Sequence, residues 1–104
     1  MVKIDLFIGL NDKDTKKQKN TLKGAKTIIN DALIESGIDY YTLIDCQGCY
    51  MKEVEKTIDC MMVFDESLES ATINKLKKAV KMIKKELNQD SIMMKKEKAN
   101  CYLL

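Results

Sequence analysis

The chain opens on a strict alternation. Val2, Ile4, Leu6, Ile8 and Leu10 are apolar and Lys3, Asp5, Phe7 and Gly9 stand between them, which is the period of a strand with one buried face. Asn11 to Asn20 (NDKDTKKQKN) then holds no apolar residue at all, which predicts a solvated loop, long for a compact domain and so a place for function. From Thr21 the period turns helical: Leu22, Ala25, Ile29, Ala32 and Leu33 share one stripe, with Asn20 as the expected N-cap and Gly37 as the stop. Tyr40 to Cys49 and Val54 to Phe64 are rich in β-branched and aromatic residues and predict a hairpin that reverses near Lys52 and Glu53, with a bulge at Gly48. In its second arm Ile58, Cys60, Met62 and Phe64 alternate against Asp59, Met61 and Val63. Ile73, Leu76, Val80, Ile83 and Leu87 predict the clearest helix, whose other faces carry six lysines between residues 75 and 85. Ser91 to Met94 and Ala99 to Leu104 read as strand-like, separated by the charged run KKEK.

Strand, helix, strand, strand, helix, strand is the order of a split βαβ unit. Two helices, each amphipathic along one stripe, cover one face of a four-stranded antiparallel sheet and leave the other open. The expectation is therefore an α+β, ferredoxin-like sandwich (βαββαβ) forming a single domain over residues 1–104. By parity its open face carries Phe7, Met61 and Val63. That face, with strand edges unprotected by any proline, predicts a homodimer.

Composition narrows the chemistry. Among the 104 residues are 18 lysines, 16 acidic residues and four cysteines, but no arginine, histidine or proline. Without histidine the Ser-His-Asp and Cys-His templates and the histidine zinc sites are excluded. Without arginine there is no bidentate clamp for phosphate. The net charge of +2 hides a split: residues 1–30 carry +4, residues 31–70 carry −8 and residues 71–104 carry +6. No apolar run spans a bilayer, and the first ten residues contain Asp5 and no cleavage-like site, so the expected location is cytoplasmic, with reduced thiols and no membrane contact.

Four groups remain as candidate sites. Cys46 and Cys49 form a C-x-x-C, which could be a dithiol or half of a zinc knuckle. An extended strand points residues i and i+3 to opposite faces about 10 Å apart, so small buried hydrophobes are the better expectation, with no metal or other cofactor. Asn11, Asp12, Lys13, Asp14, Lys16 and Lys17 lie in the polar loop and could seat a nucleotide or anion. A calcium loop does not fit there, because Lys17 and Lys23 stand where glycine and glutamate are required. The lysine row of the second helix could meet phosphates, but the missing arginine and the acidic middle third oppose nucleic-acid binding. Finally Tyr41, Asp45, Tyr50, Glu53, Glu55 and Asp59 would together make an acidic, tyrosine-bearing patch suited to a basic protein partner.

LFIGLNDKDTKKQ (residues 6–18), DCQGCYMKEVEKTIDCMMVF (45–64) and LNQDSI (87–92) together resemble short ferredoxin-like proteins of phages and mobile elements of low-GC Gram-positive bacteria. The resemblance spans most of the chain, implies the same fold order and a bacterial host, and has no activity attached. The cysteine pair around Gly48 departs from its pattern. It draws notice to Gly9, Leu10, Asn11 and Asp12 and to Gln89, Asp90 and Ser91. The expectation drawn from the sequence is a non-enzymatic binding protein, a modulator or inhibitor of a host or defence complex. A nucleotide or anion sensor using the 11–20 loop is the alternative, and a thiol or zinc protein through Cys46 and Cys49 the third reading.

Overall fold

The computed structural model describes residues 1–104. Its elements are β1 (Val2–Gly9), α1 (Leu22–Glu35), β2 (Thr42–Tyr50), β3 (Glu53–Phe64), α2 (Glu69–Glu86), entered through a short 3-10 turn at Glu66–Leu68, and β4 (Met93–Lys98). The four strands are antiparallel in the order β2-β3-β1-β4, the ferredoxin-like arrangement. Alternation in β1 and β3 dictates the floor of the core: Val2, Ile4, Leu6 and Ile8 lie beside Phe64, Met62, Cys60 and Ile58 in register, all buried. Onto that floor α1 sets Ala25, Ile29, Ala32 and Leu33, and α2 sets Leu76, Ala79 and Ile83. Each large aliphatic side chain so buried contributes about 2 kcal/mol.

Local chemistry moves several boundaries. The N-cap of α1 is Thr21 rather than Asn20, since its hydroxyl accepts the Gly24 N–H at 3.0 Å. The hairpin reverses at Met51 and Lys52, both in the left-handed region (φ 48° and 70°), one residue earlier than expected. Gly48 is no bulge, because the β2–β3 register runs unbroken through Gly48 opposite Glu55. The KKEK run lies inside β4, and Ala99 to Leu104 falls beyond the sheet. As an edge strand with every residue exposed, β4 has no buried face to impose a period. In α2 the buried stripe is Thr72, Leu76, Ala79 and Ile83, while Ile73 and Val80 are half-buried.

The open face carries Phe7, Met61 and Val63, all half-buried, with Ile44 and Met93 exposed beside them. No helix is long and apolar enough to cross a membrane.

Candidate functional site

β1 ends at Gly9, opposite Thr57 of β3, and the side chain of Glu55 crosses over it. A Cβ on Gly9 would lie 2.5 Å from Glu55 Oε1. On the other side Gly48 of β2 keeps the space open, where a Cβ would meet Thr57 Oγ1 at 2.9 Å and Glu55 Cγ at 3.9 Å. Two glycines on flanking strands thus make the channel in which Glu55 lies. Its Oε2 accepts the N–H of Asn11 at 3.0 Å, and Gln89 Nε2 donates to the Asn11 carbonyl at 2.6 Å. Both ends of the Asn11 residue are therefore fixed, one from the hairpin and one from the segment after α2.

These groups wall a cleft of about 330 Å³. Asn11, Lys13 and Lys16 come from the loop, Tyr50, Glu53 and Glu55 from the hairpin, and Gln89, Asp90 and Ser91 from the connection into β4. Lys13 Nζ stands 3.9 Å from Asp90 Oδ1. Tyr50 is its one hydrophobic lining residue and is 78% exposed at the rim. The volume is within the range of small-molecule sites, and the polar walls suit a charged, hydrophilic ligand.

Asp12, which also borders the cleft, has its carboxylate committed inside the loop. Its Oδ2 accepts from the N–H groups of Asp14 and Thr15 and from the Thr15 hydroxyl, at 2.9–3.3 Å, while Oδ1 accepts Asn88 Nδ2 at 2.7 Å and faces Lys19 Nζ at 3.3 Å. The Thr15 N–H first and the Asn88 amide next hold this carboxyl well below the usual carboxylate range. Lys16 takes the left-handed conformation (φ 61°) that closes the turn, its N–H donating to the Asp12 carbonyl.

The sequence-derived groups sort unevenly into this geometry. Asn11, Lys13 and Lys16 face the cleft, whereas Asp14 is taken by Asn88 Nδ2 at 2.9 Å and Lys17 stands outside the lining. Asn11, just past β1, accepts from Gln89 before β4, and Asn11 and Asp12 line the cleft together with Gln89, Asp90 and Ser91, so the two stretches named by the resemblance form one wall, with Gly9 set behind it under Glu55. The supposed acidic patch is not continuous. Asp45 is turned to the helix side, where its Oδ1 meets Lys26 Nζ of α1 at 2.8 Å, while Asp59 lies on the open face beside Asp5. Tyr41 is structural, its hydroxyl donating to Asn30 Oδ1 at 2.7 Å and its pKa raised chiefly by burial. Only Tyr50, Glu53 and Glu55 of that group reach the cleft.

Cys46 and Cys49 are exposed, not the small buried hydrophobes expected, because they lie on the edge strand β2 opposite Thr57 and Val54, three residues apart and so on opposite faces. That geometry does not let them converge on a dithiol or a shared metal. Burial raises the Cys46 thiol and pushes the Cys60 thiol up to about 12, which removes thiolate character from both. Asn88 was not singled out by sequence reasoning. A non-glycine residue just past the last apolar position of α2, where a helix commonly ends on glycine, is the signal that marks it.

No family model matches the chain, and no curated protein is similar to it in sequence. Solved structures are similar. A phage SAM lyase in its apo state superposes with a TM-score of 0.68 at 18% identity, covering 92% of this chain and 78% of that one. A phage SAM lyase in complex with S-methyl-5′-thioadenosine gives a TM-score of 0.68 at 17% identity, covering 92% and 79%. At that identity the likeness establishes the shared fold. It also overturns the expectation of a non-enzymatic binding protein, because the proteins that share this fold over nine-tenths of the chain are an enzyme. The inhibitor reading rested on the missing catalytic residues, the split charge and the mobile-element resemblance, and solved proteins of this fold are lyases all the same.

Proposed function

We propose that this chain is a small lyase that cleaves S-adenosylmethionine in the cleft between the 11–18 loop, the hairpin tip and residues 89–91. The observation that carries this reading is the carboxylate of Glu55, laid over Gly9 and fixed by Asn11, in a polar cleft of a fold whose solved neighbours include a complex with S-methyl-5′-thioadenosine. S-Methyl-5′-thioadenosine is S-adenosylmethionine without its four-carbon amino-acid arm. Its release breaks the bond between sulfur and Cγ, and the electron pair returns to sulfur, turning a sulfonium into a neutral thioether. The arm completes its valence by closing its own carboxylate oxygen onto Cγ, or by losing a Cβ proton to a cleft carboxylate or water while the C–H pair forms the new double bond.

Such a leaving group needs no protonation, so the reaction asks for no histidine acid and no metal. Glu53, Glu55 and Asp90 supply the negative surroundings in which a sulfonium is favoured, Lys13 and Lys16 meet the substrate carboxylate, and Tyr50 offers a flat ring to the purine. The sequence resemblance of residues 6–18, 45–64 and 87–92 suggests a phage or mobile-element source. The phage source of the neighbours supports it.

The test is to incubate the purified protein with S-adenosylmethionine and follow S-methyl-5′-thioadenosine and the four-carbon product by chromatography. Turnover is expected, with Glu55→Gln lowering kcat/KM by about a hundredfold and Tyr50→Ala by about tenfold. A folded protein that forms no S-methyl-5′-thioadenosine at any pH from 6 to 9, and is not stabilised by it at millimolar concentration, overturns the reading.

A further inference from the structure

The two helices end differently, and the difference falls on the cleft. α1 is followed by Gly37 in the left-handed region (φ 89°), the usual solution, and its end reaches a distant segment through a single weak bond, the Ser36 hydroxyl donating to Met82 Sδ of α2 at 4.0 Å, away from the cleft. α2 is followed by Asn88, also left-handed (φ 49°). Gln89 N–H returns to the Lys84 carbonyl at 2.9 Å, so the stop is of the same Schellman type. Glycine would make this stop with less strain. The side chain explains the choice. Both hydrogens of the Asn88 amide are used, one on Asp12 Oδ1 at 2.7 Å and one on Asp14 Oδ2 at 2.9 Å, and the Asn88 carbonyl accepts the Lys13 N–H at 3.0 Å.

Three hydrogen bonds from one residue thus cross 74–76 positions of sequence and fasten the loop to the end of α2. The next residue, Gln89, carries the bond to Asn11. We propose that Asn88 is a positioning residue, a staple that joins the 11–18 loop to residues 88–91 so that Asn11, Lys13 and Gln89 present one rigid wall to the ligand. Its effect on turnover rests on the lyase reading, whereas its effect on the loop does not.

Asn88→Gly separates the two roles of the residue, because it keeps the left-handed stop, relieves its strain and deletes only the amide. The expected result is an unchanged or higher Tm, amide exchange at Asp14, Thr15 and Lys17 faster by about tenfold, and a Kd for S-methyl-5′-thioadenosine and a KM for S-adenosylmethionine raised about fivefold with kcat within about twofold. A purely structural role would instead lower Tm and leave KM unmoved. Asn88→Asp places a third carboxylate beside Asp12 and Asp14 and should loosen the loop further, with exchange faster than in Asn88→Gly. Unchanged exchange in Asn88→Gly overturns the staple, and faster exchange with unaltered affinity overturns its positioning role. If the parent protein neither turns over S-adenosylmethionine nor binds S-methyl-5′-thioadenosine, the lyase reading falls and exchange alone decides the staple.

Discussion

Asp12 and Asp59 both hide carboxyl oxygens from water, and the molecule treats them in opposite ways. Asp12, only 3% exposed, sits in the loop with two backbone N–H groups, a hydroxyl, an amide and an ammonium around it, so burial does not cost it its charge. Asp59 lies on the open sheet face, where Oδ1 is buried without a hydrogen-bond partner and the nearest carboxyl is that of Asp5, itself 3% exposed. Burial first and Asp5 second raise Asp59 to about 6, against the pull of Lys3, whose Nζ is 3.4 Å from Asp5 Oδ2. A strand has already used its N–H groups on its neighbours, whereas a tight loop has several left to turn inward. Backbone geometry, not residue type, decides which aspartate keeps its charge.

The sharpest way to break this contrast is Asp12→Ala. It removes the acceptor that orders the loop and leaves the Asp14 and Thr15 N–H groups, one hydrogen of the Asn88 amide and Lys19 without their partner. A fall in Tm of roughly 10 °C is expected by thermal unfolding, together with loss of ligand binding. The depressed pKa gives a direction as well: stability from Asp12 is present above the ordinary carboxylate pKa and is lost as pH falls below it. A parent protein whose loop amides exchange no faster at pH 3 than at pH 6, after correction for intrinsic rates, would show that the charge of Asp12 does not hold the loop.

Much of the fold was legible because a buried face imposes a period. Val2 to Ile8, Ile58 to Phe64 and the spacing of Leu76 and Ile83 all report a side that must avoid water. β4 has no such side, and its KKEK reads as a linker although it pairs with β1 from Val2 to Phe7. The cleft was half legible. A ten-residue polar loop marks one wall, but Glu55 enters only through its neighbours across the sheet, Gly9 and Gly48, and the sequence does not contain the register. The acidic middle third misled for the same reason. Asp45, Glu55 and Asp59 are near in sequence, yet strand parity turns Asp45 to the helix side, and Glu55 and Asp59, which share the open face of β3, stand four residues apart, one at the cleft and the other beside Asp5. Missing histidine excluded many proton-transfer templates, but the lyase reaction proposed above would start from a sulfonium that is already activated.

Asp59→Asn tests the other half of the contrast, with a smaller effect of opposite sign. An aspartate raised from 3.8 to about 6 is protonated in the folded state at pH values where the unfolded chain has lost its proton. The sign follows: its stabilisation is fully present below pH 4, fades as pH rises through 6 and is gone above. Asp5 and Lys3 are the titratable groups that act on it, and the pull of Lys3 does not reverse that direction. Asparagine carries no charge to desolvate, so the variant should be more stable than the parent by about 1–2 kcal/mol at pH 7.5 and level with it at pH 4. Chemical denaturation at the two pH values measures the difference. Equal stability at pH 7.5 would mean that Lys3 compensates Asp59 fully.

A third aspartate sets the lower bound of the series. Asp45 meets Lys26 at 2.8 Å, closer than the 3.3 Å between Asp12 and Lys19, but its side chain is 50% exposed and that of Lys26 is 36% exposed. Water screens such a pair and holding two side chains in one geometry offsets most of its attraction, so Lys26→Ala should cost less than about 0.5 kcal/mol in 0.15 M salt. Lowering the ionic strength should enlarge the difference between variant and parent, which separates a screened ion pair from lost packing of the lysine stem on α1. If the proposed lyase activity holds, turnover of S-adenosylmethionine should not change, because the pair lies on the helix side of β2 and the cleft does not include it. A loss of activity in Lys26→Ala without loss of stability would mean that the acidic residues of the hairpin act as one surface after all.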